Sequence, residues 1–132
     1  MIQEKDCMEA LLQVAPEFKA RLEAHLLEWG SESNLHFQMA EFSYFIKEKF
    51  RQGDYSNAPQ VFARIEFLLS GHNASEKVKN AVCTCFLENL INAFSEELNQ
   101  LKIWIPLLGP ESREYCKAWD QFTGVKTPGL WD

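Results

Sequence analysis

Apolar residues recur along this chain at intervals of three and four, the spacing of one helix face, and no stretch alternates as a strand does. Seven helices follow from that spacing and from the Gly, Pro and Ser residues that interrupt it. The first runs from about Gln3 to Val14, with Met8, Leu11, Leu12 and Ala15 on one stripe. Pro16 suits a first helical position, where its missing N–H costs nothing. The second helix then carries Phe18, Leu22, Leu26 and Trp29 up to Gly30. The third, about Leu35 to Gln52, turns Met39, Phe42, Phe45, Ile46 and Phe50 inward and Glu41, Lys47, Glu48, Lys49 and Arg51 outward. The fourth holds Val61, Phe62, Ile65, Leu68 and Leu69 between Pro59 and Gly71.

Ser75 is placed to cap the fifth helix, which is apolar nearly all round from Ala81 to Phe94 and so belongs in the middle of a bundle. Ser95 is placed to cap the sixth, with Leu98, Leu101, Trp104 and Ile105 inside and Pro106 at its end. Pro110 starts the seventh, with Tyr115, Cys116, Trp119 and Phe122 on its stripe. From Gly124 the tail to Asp132 reads as irregular. The expected fold is therefore all-α, a single domain over residues 1–132 built as a bundle of about seven antiparallel helices. Phe42, Ile46 and Phe50 return 44 residues later as Phe86, Leu90 and Phe94. That offset lies in the range of two-helix repeats and offers HEAT-like hairpin stacking as an alternative arrangement.

Composition narrows the function. With 46% apolar and 24% charged residues the chain is no disordered segment. Acidic residues outnumber basic ones 19 to 13, for a net charge of −6. That sign argues against a binder of nucleic-acid backbones and fits a basic partner. The first residues lack a secretory signal, and no apolar run reaches the ~20 residues that cross a bilayer, so a cytoplasmic protein without membrane contact is expected. Cys83 and Cys85 are two apart on a helix and point to different sides, which suits neither a disulfide nor a C-x-x-C site. Together with Cys7 and Cys116 they read as free thiols. His25, His36 and His72 have no metal-ligand spacing, so neither metal nor cofactor is expected.

No G-x-S-x-G elbow or Gly-rich phosphate loop is present. Glu66 and Glu88 sit among apolar neighbours and are candidates for acid–base work, although the same pattern serves a solvent face or a bond to a neighbouring helix. Asn80, Asn89 and Asn92, on a central helix, suit bonds to backbone or a recognition groove. Tyr55, Trp119 and Trp131 lie outside the stripes or near their ends, as interface anchors do; for Leu130-Trp131 folding back onto the bundle is the favoured alternative. Glu41, Glu48, Asp54 and Glu66 would form one negative patch if adjacent helices brought them together, diluted by Lys47, Lys49 and Arg51.

The segment from Phe42 to Pro110 carries Phe42-x-x-Phe45-Ile46, Gly53-Asp54, Ile65-Glu66-x-Leu68-Leu69 and Val78-x-Asn80-Ala81-Val82, followed by Phe86-Leu87-Glu88-Asn89-Leu90 and Leu107-Leu108-Gly109-Pro110. These residues resemble a family of small helical bacterial proteins of otherwise undefined function, whose members look like immunity proteins encoded beside secreted toxins, including those of contact-dependent growth inhibition. The resemblance implies a non-enzymatic inhibitor that binds a cognate basic toxin domain, a nuclease, and covers its groove. Glu48, Asp54, Tyr55, Glu66, Glu88 and Asn89 are the expected partner-binding residues. Two other classes stay open: a helical adaptor or regulator, and a small enzyme built around Glu66 and Glu88.

Overall fold

Helix starts fall where side chains or free backbone geometry take up the first amides. Asn34 Oδ1 accepts from the Phe37 amide at 2.9 Å, and Ser75 Oγ from that of Val78 at 3.3 Å. The structure, a computed structural model, describes residues 1–131. Seven helices succeed one another: α1 Glu4–Leu12, α2 Lys19–Trp29 after a tight turn at Pro16–Phe18, α3 Leu35–Arg51, α4 Ala58–Leu69, α5 over 76–94, α6 Leu98–Trp104 and α7 Pro110–Thr123. No strand occurs among the described residues; an isolated parallel bridge ties Ile2 to Ala74. Ser95 does not cap α6 as its sequence position suggests. Its hydroxyl turns back to the Asn92 carbonyl at 3.4 Å, and α6 begins only at Leu98.

The partners across helices reveal their directions. His36 meets Asn80 at 3.1 Å, Ser43 meets Asn89 at 3.2 Å, Phe42 stacks on Phe86 and Phe50 lies against Phe94. Residue numbers rise together on both sides, so α3 and α5 run parallel and in direct contact, the chain returning from the end of one to the start of the other through α4. The 44-residue echo in the sequence is this one interface. Glu88 with Tyr115 and Asn92 with Trp119 advance in the same way, which makes α7 parallel to α5 on a further side. By contrast α2 and α3 are antiparallel, through Arg21 to Glu48 and Trp29 on Phe37. The core is aromatic: Phe18, Phe42, Phe50, Phe62, Phe86, Phe94 and Trp104 are all fully buried.

The fifth helix meets a winding problem. Val78, Val82, Phe86, Leu90 and Phe94 are all 0% exposed and lie four apart. In an ideal α-helix each step of four drifts about 40°, or about 160° over the series. A π-helical turn at Cys83–Leu87 interrupts the α winding and offsets part of that drift. Asn89 supports the turn, donating to the Cys85 carbonyl at 2.8 Å.

Gly124 ends α7 in the left-handed region (φ 76°), and the chain folds back. Asp120, fully buried, accepts from the Thr127 amide (2.6 Å), the Thr127 hydroxyl (2.8 Å) and the Trp131 indole (2.9 Å). Arg113 adds bonds to the carbonyls of Ile105 and Leu130, both at 3.0 Å. Trp131 thus folds back onto the bundle. The helical stripe predicts Phe122 inside; instead Asp120 is enclosed and Phe122 stands 83% exposed. Donors from the tail make the acid's burial possible, and among the described residues no element covers Phe122.

Candidate functional site

Two glutamates anchor α7. Glu66 reaches from α4 to its N-terminus and accepts from the amides of Glu111 (2.9 Å) and Ser112 (3.0 Å) and from the hydroxyl of Ser112 (2.9 Å). The Ser70 hydroxyl is 3.3 Å from its other oxygen. Burial pushes this carboxyl up, but the amide and hydroxyl donors outweigh it and hold its pKa below the usual range. Gly109 leaves room: a Cβ there would lie 2.4–2.5 Å from Glu66 side-chain atoms. Glu66 is therefore the N-terminal cap of α7, supplied by another helix.

Glu88 acts further along. Its carboxylate accepts from the Tyr115 hydroxyl, and burial together with this bond raises the phenol's pKa. One turn on, the Trp119 indole donates to Asn92 at 3.1 Å, and Phe122 stacks on Trp119 with ring centroids 5.7 Å apart. Glu111 and Glu114 are exposed on the same helix and have no ion-pair partner among the described residues. Beside them a groove of about 420 Å³ runs between α4, α5 and α7. The helix thus carries two unpaired acids in its first turns and an exposed phenylalanine near its end.

The other candidates lie apart. Glu48 is exposed on α3 and pairs with Arg21 at 2.7 Å. Glu41, expected outward, instead turns to α2 and pairs with the same Arg21 at 2.8 Å. Asp54 accepts from the amide and hydroxyl of Ser56 and sits 3.6 Å from Lys49; the two Ser56 bonds come first in holding its carboxyl below the usual range. Tyr55 stacks inward on Phe50 at 4.5 Å, its hydroxyl enclosed without a hydrogen-bond partner among the described residues. Asn89 is spent between Ser43 and Cys85. Asp54 and Tyr55 share a loop, Glu66 and Glu88 share α7 as a target, and the six form no single patch. Glu66 and Glu88 engage α7 about one turn apart through different donors.

Sequence reasoning passed over Phe122, Glu111 and Glu114. Periodicity placed the first inside, and lone surface acids carry no pattern. Among the described residues no group of three His, Cys, Asp or Glu residues is placed to hold a metal ion. All four cysteines are free thiols, and burial pushes Cys7, Cys83 and Cys116 up to about 12, far from thiolate chemistry. No helix among the described residues is long and apolar enough to cross a membrane. Residues 8–124 match a family described as "Domain of unknown function (DUF7674)". No curated protein and no solved structure matches the chain.

Proposed function

The chain belongs to that family, and from this premise we propose that it is a cytoplasmic immunity protein that binds a cognate toxin domain, a nuclease, stoichiometrically and covers its basic groove. One observation carries the reading: Phe122 stands 83% exposed, stacked on half-buried Trp119, on the helix whose first turns carry exposed Glu111 and Glu114, neither with an ion-pair partner among the described residues. A large aromatic anchor with a charged rim is the composition of an interface hot spot. Acids free of internal pairs supply the complementary field for a basic partner and steer its approach. Glu88 borders this face through Tyr115, and the resemblance of residues 42–110 to immunity proteins supports a toxin as the partner. Glu66 and Asn89 serve the scaffold in this reading, while Glu48, Asp54 and Tyr55 lie outside the contact.

Co-expression with the product of the adjacent upstream gene tests it. A one-to-one complex and protection from toxicity are expected. Phe122→Ala should weaken binding by about 2 kcal/mol, roughly thirtyfold, while the melting temperature holds. Association should slow as salt rises. Failure to form a complex, or a complex indifferent to Phe122→Ala, would sink the reading; binding to a host protein with no toxin gene nearby would favour an adaptor on the same face.

A further inference from the structure

The α2–α3 turn holds a different kind of site. His25 lies on the inner face of α2 with its side chain fully enclosed, the imidazole set edge-on to Phe37 at 4.6 Å. Its Nδ1 is 3.3 Å from Glu41 Oε1, and its Nε2 is 2.9 Å from Ser33 Oγ. Glu41 is itself fixed, since its Oε2 accepts from Arg21 Nε at 2.8 Å. Donor and acceptor accounting then assigns the protons. A carboxylate only accepts, so Nδ1 carries the imidazole proton and donates to Glu41. Nε2 is left as a lone pair facing the Ser33 hydroxyl. The Gln38 amide donates to Ser33 Oγ at 3.1 Å, which leaves the hydroxyl proton directed at His25. The three groups have the roles and order of a serine–histidine–carboxylate relay, which is recognised by geometry and not by position in the chain.

The surroundings suit a nucleophile. Ser33 is half-buried between exposed Glu32 and Asn34, whereas the His25 side chain is fully enclosed. Ser33 precedes Asn34, the N-cap of α3, and the amides of Asn34, Leu35 and His36 have no protein acceptor among the described residues. They are donors available to a developing oxyanion. Trp29, packed on Phe37 at 4.9 Å, and half-exposed Leu26 supply apolar surface, while exposed Glu28 and Glu32 disfavour anions.

We propose that Ser33 is an activated nucleophile, with His25 as its general base and Glu41 as a positioning residue, and that the chain hydrolyses small uncharged esters with an apolar acyl group. Ser33 Oγ bonds to the acyl carbon as its proton passes to His25 Nε2. The bond to the leaving oxygen breaks, and that oxygen takes the proton from Nε2 and departs as the alcohol. Water, deprotonated by Nε2, then attacks the acyl carbon, releases the carboxylic acid and returns the proton to Oγ. This activity is independent of the toxin-binding reading.

The full chain is treated with an alkyl fluorophosphonate, which bonds phosphorus to a nucleophilic hydroxyl and expels fluoride. Intact mass and peptide mapping are expected to find one adduct per chain, on Ser33 and not on the exposed Ser31 or Ser56. Ser33→Ala abolishes it. His25→Gln slows it about a hundredfold or more, Glu41→Gln slows it, and Glu41→Asp retains part of the rate. p-Nitrophenyl butyrate is turned over with the same ranking. Labelling of Ser31 and Ser56 as fast as Ser33, or no adduct at all, overturns the proposal in the wild-type chain alone, whether or not the His25 variant folds. An unchanged rate in a folded His25→Gln chain overturns it as well.

Discussion

Glu66 and Glu88 begin from nearly the same sequence context, a single acid among apolar residues on a buried helix, and both reach α7. Their surroundings then diverge. Glu66 meets two main-chain amides and two hydroxyls at a helix end opened by Gly109; Glu88 meets one phenol at a solvent-facing groove. Of the donors to Glu66, the Ser70 hydroxyl also bonds the Glu66 carbonyl at 2.7 Å, whereas the two amides and the Ser112 hydroxyl rely on the carboxylate, so removing it leaves them without a protein acceptor. Glu88 has one donor, the Tyr115 hydroxyl, so less depends on it. The number and kind of donors brought from elsewhere in the chain, and not the flanking residues, separate two carboxylates that are equally half-buried.

The contrast can be tested by substitution. Gly109→Ala forces a methyl into the Glu66 carboxylate and drives it off the helix end; a loss of about 3 kcal/mol, near 10 °C in Tm, is expected by thermal unfolding. Glu66→Gln keeps the size but offers an amide to amides, at a cost of about 1–2 kcal/mol. Its pH dependence is sharper. A carboxyl held below its ordinary 4.5 in the folded state contributes fully above that value and loses its contribution as pH falls through the lower folded value. The gap between wild type and Glu66→Gln is therefore constant near neutrality and closes on acidification below about pH 4.5; a gap that persists at pH 3 breaks the comparison.

Tyr115→Phe should cost about 0.5–1 kcal/mol. The smallest effect on stability is expected from Glu88→Gln, which instead eases ionisation of Tyr115. The phenol is raised above its ordinary 10 by burial and by Glu88, so stability should decline as pH climbs past 10, where the unfolded chain releases its proton first. Ultraviolet titration of the phenolate should begin at lower pH in Glu88→Gln.

Much of the fold was legible. Apolar spacing locates all seven helices, Ser75 caps α5 as its position predicts, and the apolar girth of α5 places it centrally. Pairing was not legible, because it depends on which faces meet. The echo between Phe42–Phe50 and Phe86–Phe94 reads as a repeat, whereas it is two sides of one parallel contact. Asp120 and Phe122 exchange their expected places because the tail brings donors to the acid. His25, Ser33 and Glu41 stand at equal intervals of eight about a helix turn, a symmetry that one-dimensional motif patterns do not hold.

The π-helical turn at Cys83–Leu87 has an evolutionary consequence. Loss of one residue inside a buried helix ordinarily rotates everything beyond it by about 100° and ruins a core. Here such a deletion could be absorbed by rewinding the turn as plain α-helix, at the cost of the bond from Asn89 to the Cys85 carbonyl. The turn is therefore the one stretch of α5 where loss of a residue is expected to leave the faces of Leu90 and Phe94 toward the core.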